Sequence, residues 1–352
     1  MSTPRIEIDL RKIAHNVSRL VEMYGARGIG VSAVTKVVRG NPEIAAVLVD
    51  AGIAMLADSR IANIRRMRDA GIEAQFLLLR TPFLSQAEAV VQYADLSLNS
   101  DLSVIAELSR FALLAHVEHR IILMVELGDL REGLMPQDVH HAVDSVLALE
   151  GIELAGIGTN LACFGGIKPD DEKMEHLSRI ARETEVEFGL SLPFVSGGNS
   201  ANYQWFQSTR HVGRINHLRL GESIFLGCET LQREPIPGLF TDAFSLFAEV
   251  IESSIKPSLP DGEICQDVSG QVPAFEDRGP MRRAILGLGR QDVLVSGLTP
   301  RDGVEILGAS SDHVLVDTRD LAYAAGDEMA FDLNYGALLS AMTSPYVETM
   351  VV

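Results

Sequence analysis

The amino-acid sequence predicts an α/β protein: a (β/α)8 barrel over residues 1–234, followed by a C-terminal all-β domain over residues 235–352. Three observations predict it. Eight short apolar runs alternate with longer amphipathic stretches between residues 28 and 223. These runs are rich in Val, Ile and Leu, as strands buried on both faces are. Beyond Pro235 the alternation stops, and strand-like segments follow one another across PDG, TPRDG and AGD turns with no long helix between them.

The first run, GIGVSAVT (28–35), stops at Lys36. The helix that follows, NPEIAAVLVDAG (41–52), carries Asn41 as N-cap, Pro42 at its first position and Gly52 at its close. The next strands are IAMLADS (53–59), AQFLLLR (74–80), ADLSLNS (94–100) and RIILMVEL (120–127), with DLSVIAELSRFALLA (101–115) the clearest helix among them. IELAGIGT (152–159), LPFVSGG (192–198) and HLRLGES (217–223) complete the eight. The stretch 170–188 reads as a charged, solvent-facing helix, Trp205 as a residue packed on the barrel exterior, and His140 and His141 as surface histidines. Strand–helix alternation implies parallel strands with right-handed crossovers, in either an open sheet or a closed barrel. The count of eight favours the barrel, and no GxGxxG follows the first strand to support a dinucleotide site. REPIPGLF (233–240) punctuates the boundary to the β domain.

Composition narrows the function classes. With 48 acidic against 30 basic residues the net charge is −18, the wrong sign for nucleic acid or an anionic membrane surface. Cys163, Cys228 and Cys265 show no CxxC spacing, so neither a disulfide framework nor a metal site is expected, and a reducing cytoplasm is. The start of the chain lacks the apolar core of a signal peptide, and no apolar run reaches the ~20 residues of a membrane span.

Barrel chemistry sits at the C-terminal ends of the strands. Those positions hold Lys36, Asp58, Arg80, Asn99, Glu126 with Arg131, Asn160, Ser200 and Arg219 to Ser223. Lys36 is either a rim residue or an amine held in a cavity, where desolvation would make it a Schiff-base nucleophile. SGGNSAN (196–202) and RLGES (219–223) follow strands seven and eight, the loops that frequently bind phosphate in barrels. Each loop alone reads as a set of tight turns. Together with the lysine they suggest a phosphorylated carbonyl cofactor.

Five segments carry a more specific resemblance: IEIDLRKIAHNV (6–17), AVTKVVRG (33–40), GIGTNLACFGG (156–166), SGGNSAN and HLRLGESIFLG (217–227). In that order they resemble the alanine racemase-type, fold-type III pyridoxal 5'-phosphate enzymes. LLLRTPF (77–83), VELGDLREGL (125–134) and LGLGRQD (286–292) resemble the branch that includes ornithine racemase. The resemblance implies that Lys36 carries the cofactor, that Ser200 and the Gly221–Glu222 backbone hold its phosphate, and that Arg219 faces its ring nitrogen. Asn160 would lie against the ring. A guanidinium beside that nitrogen opposes its protonation, which favours return of a proton at the α-carbon. In related decarboxylases the loop reads Glu-Pro-Gly-Arg; here Arg219-Leu220-Gly221-Glu222 reverses acid and base.

The chain also departs from the alanine enzymes. Gly40, Asn160 and Gly270 stand where larger rings are expected, with Arg39 left as the polar neighbour of the lysine loop. The missing tyrosine leaves Asp267, Ser269 or His313 of a partner subunit as candidates for the second base, so a homodimer with shared sites is expected. Arg80, Arg131, Ser311 and Asp312 are candidates for substrate contact. A longer, basic amino acid is the expected substrate, with Asp58, Glu126, Glu222, Asp267 or Asp312 to meet its distal ammonium. The leading expectation is a racemase of ornithine or lysine type or of broad specificity. A decarboxylase of ornithine or diaminopimelate type and a non-catalytic cofactor-binding protein are the alternatives.

Overall fold

The computed structural model describes residues 3–266 and 270–352. Residues 11–241 form one compact unit, and residues 3–10 with 242–352 form a second. The expected boundary within 233–240 lies just ahead of this division. The opening strand, however, belongs to the β unit rather than to the barrel.

In chain order, β1 (Arg5–Ile8) and α1 (Leu10–Gly25) precede the barrel proper. The barrel then runs β2 (Gly30–Val34), α2 (Pro42–Asp50), β3 (Met55–Asp58), α3 (Ile61–Asp69), β4 (Gln75–Leu78), α4 (Ala87–Tyr93), β5 (Leu96–Asn99) and α5 (Leu102–Ala115). It continues as β6 (His119–Met124), α6 (Val139–Leu147), β7 (Ile152–Gly158), α7 (Asp171–Phe188), β8 (Phe194–Ser196), α8 (Asn202–Ser208), β9 (His217–Leu220) and α9 (Glu222–Leu226). Strands β2 to β9 pair in parallel and close, with β9 returning to β2 so that Ser32 stands beside Arg219. All eight expected strands are present.

Local chemistry sets the element ends. Asn41 accepts hydrogen bonds from the Glu43 and Ile44 N–H groups, and Asp101 caps α5 in the same way. On α7 the acids face out, but Met174, Leu177, Ile180 and Ala181 are buried, so this helix is amphipathic and not merely a charged face. Trp205 is buried in the helix layer, its Nε1 donating to Asp171 at 3.0 Å. Among the described residues no helix is long and apolar enough to cross a membrane.

The barrel interior has two sides. Val34, Met55, Ala57, Leu77, Leu96, Leu98, Ile122, Met124 and Ala155 form an apolar plug. Opposite it, buried polar side chains (Ser32, Ser196, His217 and Arg219) come from β2, β8 and β9. The plug makes the barrel a packed core, so chemistry is confined to its rim.

The second unit is built on β10 (Phe244–Pro257), β11 (Pro280–Leu286), β12 (Leu298–Pro300), β13 (Glu305–Ala309), β14 (Val314–Asp317) and β15 (Glu328–Leu333). β10 is long enough to serve two pairings, β15 along its first half and β11 along its second, with a bulge between Val250 and Glu252. β1 lies between β10 and the terminal β16 (Glu348–Val351). One element differs from the expected all-β pattern. Residues Tyr335–Thr343 form a helix, α10, capped by Asn334, whose side chain accepts from the Ala337 N–H.

Candidate active site

Lys36 stands at the mouth of the barrel because the chain tightens into one 3-10 turn, Thr35–Val38, directly after β2. Thr35 fixes this turn by donating to Asp58 Oδ2 at 2.8 Å. Asp58 also accepts from the Arg60 N–H at 2.9 Å and from Asn63 at 3.0 Å. Burial raises the Asp58 carboxyl above its usual range, against the pull of these donors. The turn leaves through Arg39 and Gly40, both left-handed, and a Cβ on Gly40 would lie 2.9 Å from the Asn63 carbonyl. Any ring at position 40 is therefore excluded by backbone packing. The Lys36 side chain remains half-buried.

Arg219 rises from β9 two residues after His217 and is 3% exposed. Its guanidinium donates to Ser196 Oγ, to the Thr159 carbonyl at 2.8 Å and to Asn160 Oδ1 at 3.2 Å. Each of these acceptors is neutral. Burial brings its pKa down to about 10, which still leaves it charged at neutral pH. Below it, His217 lies 2.8 Å from Ser196 Oγ and 2.6 Å from Ser32 Oγ. Burial, and then the Arg219 charge, push its pKa down to about 3, so it packs as a neutral imidazole.

Asn160 is held by both Arg219 and Asn199, whose Nδ2 donates to Asn160 Oδ1 at 3.1 Å. This leaves Asn160 Nδ2 buried with no hydrogen-bond partner among the described residues. Next to it, Ser200 and Ser223 bring the loops after β8 and β9 together, with their hydroxyls 3.0 Å apart and the Ser223 N–H donating to Ser200. Gly198 and Gly221 permit this approach. A Cβ on the first would overlap Asn202, and one on the second would come within 3.3 Å of Val34. Glu222 lies beyond, with its Oε1 3.0 Å from Arg233 Nε. Burial raises its carboxyl to about 7, while the charges of Arg233 and Lys36 oppose that rise. An unsatisfied amide donor, a cation with no carboxylate in hydrogen-bonding range among the described residues, and two converging hydroxyls suit an anionic ligand that carries a ring acceptor.

In the loop after β6, Glu126 makes no bond through the Arg131 side chain; its carboxylate accepts the backbone N–H groups of Gly128, Leu130 and Arg131 at 2.5, 3.0 and 3.2 Å. Asp129, which sequence reasoning missed, accepts from the N–H groups of Cys163, Phe164 and Gly165 and so ties this loop to the one after β7. Arg131 lies 3.5 Å from Glu132, also missed, whose other oxygen accepts from the Thr81 N–H at 2.9 Å. Arg80 is left-handed, with its guanidinium stacked 4.3 Å over Phe83. The acidic density of VELGDLREGL was the available signal, although it does not say which acid turns inward.

Lys36, Asn160, Ser200, Arg219, Gly221 and Glu222 thus all occupy one end of the barrel. Ser311, Asp312 and His313 stand in the β unit, in the turn between β13 and β14, where Asp312 lies 3.1 Å from His313 Nδ1. Gly270 is exposed and left-handed. Asp267 and Ser269 lie outside the described residues.

Residues 8–228 match the family profile described as the N-terminal domain of alanine racemase. An ornithine racemase of Acetoanaerobium sticklandii is 41% identical over 349 residues, 98% of either chain. A lysine racemase of Thermotoga maritima is 41% identical over 350 residues, 99% of this chain and 98% of that one. The alanine racemase of Streptomyces coelicolor A3(2) superposes with a TM-score of 0.78 over 99% of this chain and 97% of its own, at 18% identity, a likeness of fold.

Proposed function

Since this chain belongs to the alanine racemase N-terminal domain family, we propose that it is a pyridoxal phosphate-dependent racemase of a diamino acid of the ornithine or lysine class. The observation that carries the reaction type is Arg219, a fully buried guanidinium held by three neutral acceptors at the end of β9. Its two full-length relatives, racemases of ornithine and of lysine, support the substrate class.

The residues present suit the cofactor. Lys36 would hold it through its amine, Ser200 with the Gly221 and Glu222 backbone its phosphate, and Arg219 with Asn160 its ring. When bound, pyridoxal phosphate supplies an electron-withdrawing ring that acidifies the α-hydrogen of an amino acid. Arg219 then has one electrostatic task. Its fixed positive charge would oppose proton uptake by a ring acceptor held against it, which would favour return of a proton at the α-carbon. A decarboxylase-like site would need a carboxylate in that position. Lys36 is the proton carrier on one face. The carrier for the other face comes, on this reading, from the β unit of a partner subunit, with His313, Asp267 and Ser269 the candidates and Ser311 and Asp312 beside the substrate. Exposed Ile255, Val272 and Phe275 on the β unit are compatible with such a homodimer. Three unpaired cysteines accord with a cytoplasmic location.

The test is a screen of L-amino acids with purified protein and pyridoxal phosphate in deuterated buffer. D-product with deuterium at the α-carbon is expected from ornithine or lysine. Release of carbon dioxide without D-product would assign a decarboxylase instead.

A further inference from the structure

A racemase of diamino acids must reject their apolar isosteres, so the mouth needs an acceptor for the distal ammonium. The acids near the rim can be taken in turn. Asp58 is fully buried and saturated by Thr35, Arg60 and Asn63. Glu126 and Asp129 each spend their carboxylates on three backbone N–H groups. Glu222 is ion-paired with Arg233, its Oε1 3.0 Å from Arg233 Nε though without a hydrogen bond, and it is the more deeply buried acid at 8% exposure. Glu132 differs from all of them. One of its oxygens accepts a single bond, from the Thr81 N–H, and the other lies 3.5 Å from Arg131, beyond a good hydrogen bond. Its side chain is 18% exposed, enough for access and too little for full screening.

The surrounding backbone holds Glu132 still. The loop that carries it closes on itself where Glu126 N–H donates to the Leu134 carbonyl and Leu134 N–H to that of Met124, each at 2.8 Å. Gly133 makes this possible, since a Cβ there would fall 2.6 Å from the Glu126 nitrogen. Thr81, which Glu132 holds, is itself tied to Ser100 at 3.0 Å. Loops after β4, β5 and β6 are thereby fastened around one carboxylate. Both Arg131 and Glu132 act electrostatically on Arg219, so they share its end of the barrel.

We propose that Glu132 determines substrate specificity by accepting the distal ammonium of a diamino acid through the oxygen that Thr81 does not occupy. This inference rests on the racemase reading above. A carboxylate oxygen with only a 3.5 Å ion pair to Arg131 and no hydrogen bond penalises any side chain that cannot satisfy it.

The experiment compares wild-type holoenzyme with Glu132→Gln and Glu132→Asp on L-ornithine, L-lysine, L-norvaline and L-norleucine. It reads kcat/KM, or the inhibition constant of any analogue that is not turned over. Glutamine keeps the size of the side chain and an acceptor for Thr81 but removes the charge. The expected result is a drop of at least about tenfold in the ratio of diamino to apolar kcat/KM for the glutamine variant. The aspartate variant should retain most of the preference, and it decides the matter if the glutamine variant fails to fold. A parallel fall on all four substrates would show that Glu132 only supports Thr81 and Arg131, and would overturn the inference. Unchanged ratios would overturn it too. A wild type that racemises norvaline in preference to ornithine sinks the inference and the diamino-acid substrate class, and leaves the racemase reaction intact. A wild type that racemises none of the four removes both.

Discussion

Arg219, to which the proposed function assigns the reaction type, is a cation buried among neutral partners. A guanidinium buried among a hydroxyl, a carbonyl and an amide loses hydration without gaining a counter-charge, and its lowered pKa records that cost. The place of Lys36 at the barrel mouth was legible from the sequence because a cation that terminates an apolar strand breaks the pattern around it. Loop composition marked the segments after β8 and β9, and the resemblance singled out Ser200 and Gly221 within them. Asp129 and Glu132 were not legible, because their importance lies in bonds to residues 34 and 51 positions away. At this scale the prediction concerns the anchor. Lys36→Ala should abolish covalent attachment of pyridoxal phosphate and lower racemisation by roughly 10²-fold to 10⁴-fold or more. Borohydride reduction and peptide mapping of the wild type should put the label on Lys36, and label on a different lysine would reject the assignment.

Among the elements, β9 joins the site to the barrel core. Its inward positions alternate, His217 below and Arg219 above, and Ser196 on β8 bonds to both. The imidazole makes this strand sensitive to acid. In the fold its pKa is about 3, whereas the unfolded chain takes up the proton near 6.5, so between these values only the unfolded state is protonated. Stability contributed by neutral His217 is therefore intact above about pH 6.5 and lost as pH falls toward 3, at about 1.4 kcal/mol per pH unit. Glu222, raised to about 7, acts in the opposite direction between its ordinary range and neutrality, so the net curve is not diagnostic. A difference experiment isolates the histidine. His217→Asn should be less stable at pH 7, but its stability should fall less steeply than that of wild type between pH 6 and 4.5 in urea titrations. Parallel curves would mean that the imidazole is protonated in the fold.

On the scale of the whole molecule, the barrel carries Lys36, Asn160, Ser200 and Arg219, and the β unit carries Ser311, Asp312 and His313. If a partner's β unit supplies the second proton carrier, activity per subunit should fall on dilution along the same curve that sizing or light scattering gives for dimer dissociation. Activity that persists in demonstrably monomeric protein would contradict the shared site. The sequence by itself determined the barrel and its eight strands, because each strand is a local apolar run whose length and flanking helices repeat, and local periodicity needs no long-range information. It also determined the residues that end those strands, since barrel topology sends every strand terminus to the same rim. Only the tertiary structure decided that β1 joins the β unit, through strand pairing across more than two hundred residues. It alone also decided which acids of VELGDLREGL spend both oxygens on backbone N–H groups and which one does not. A carboxylate's availability depends on the N–H groups that fold against it, and those are set by loop closure rather than by the order of residues.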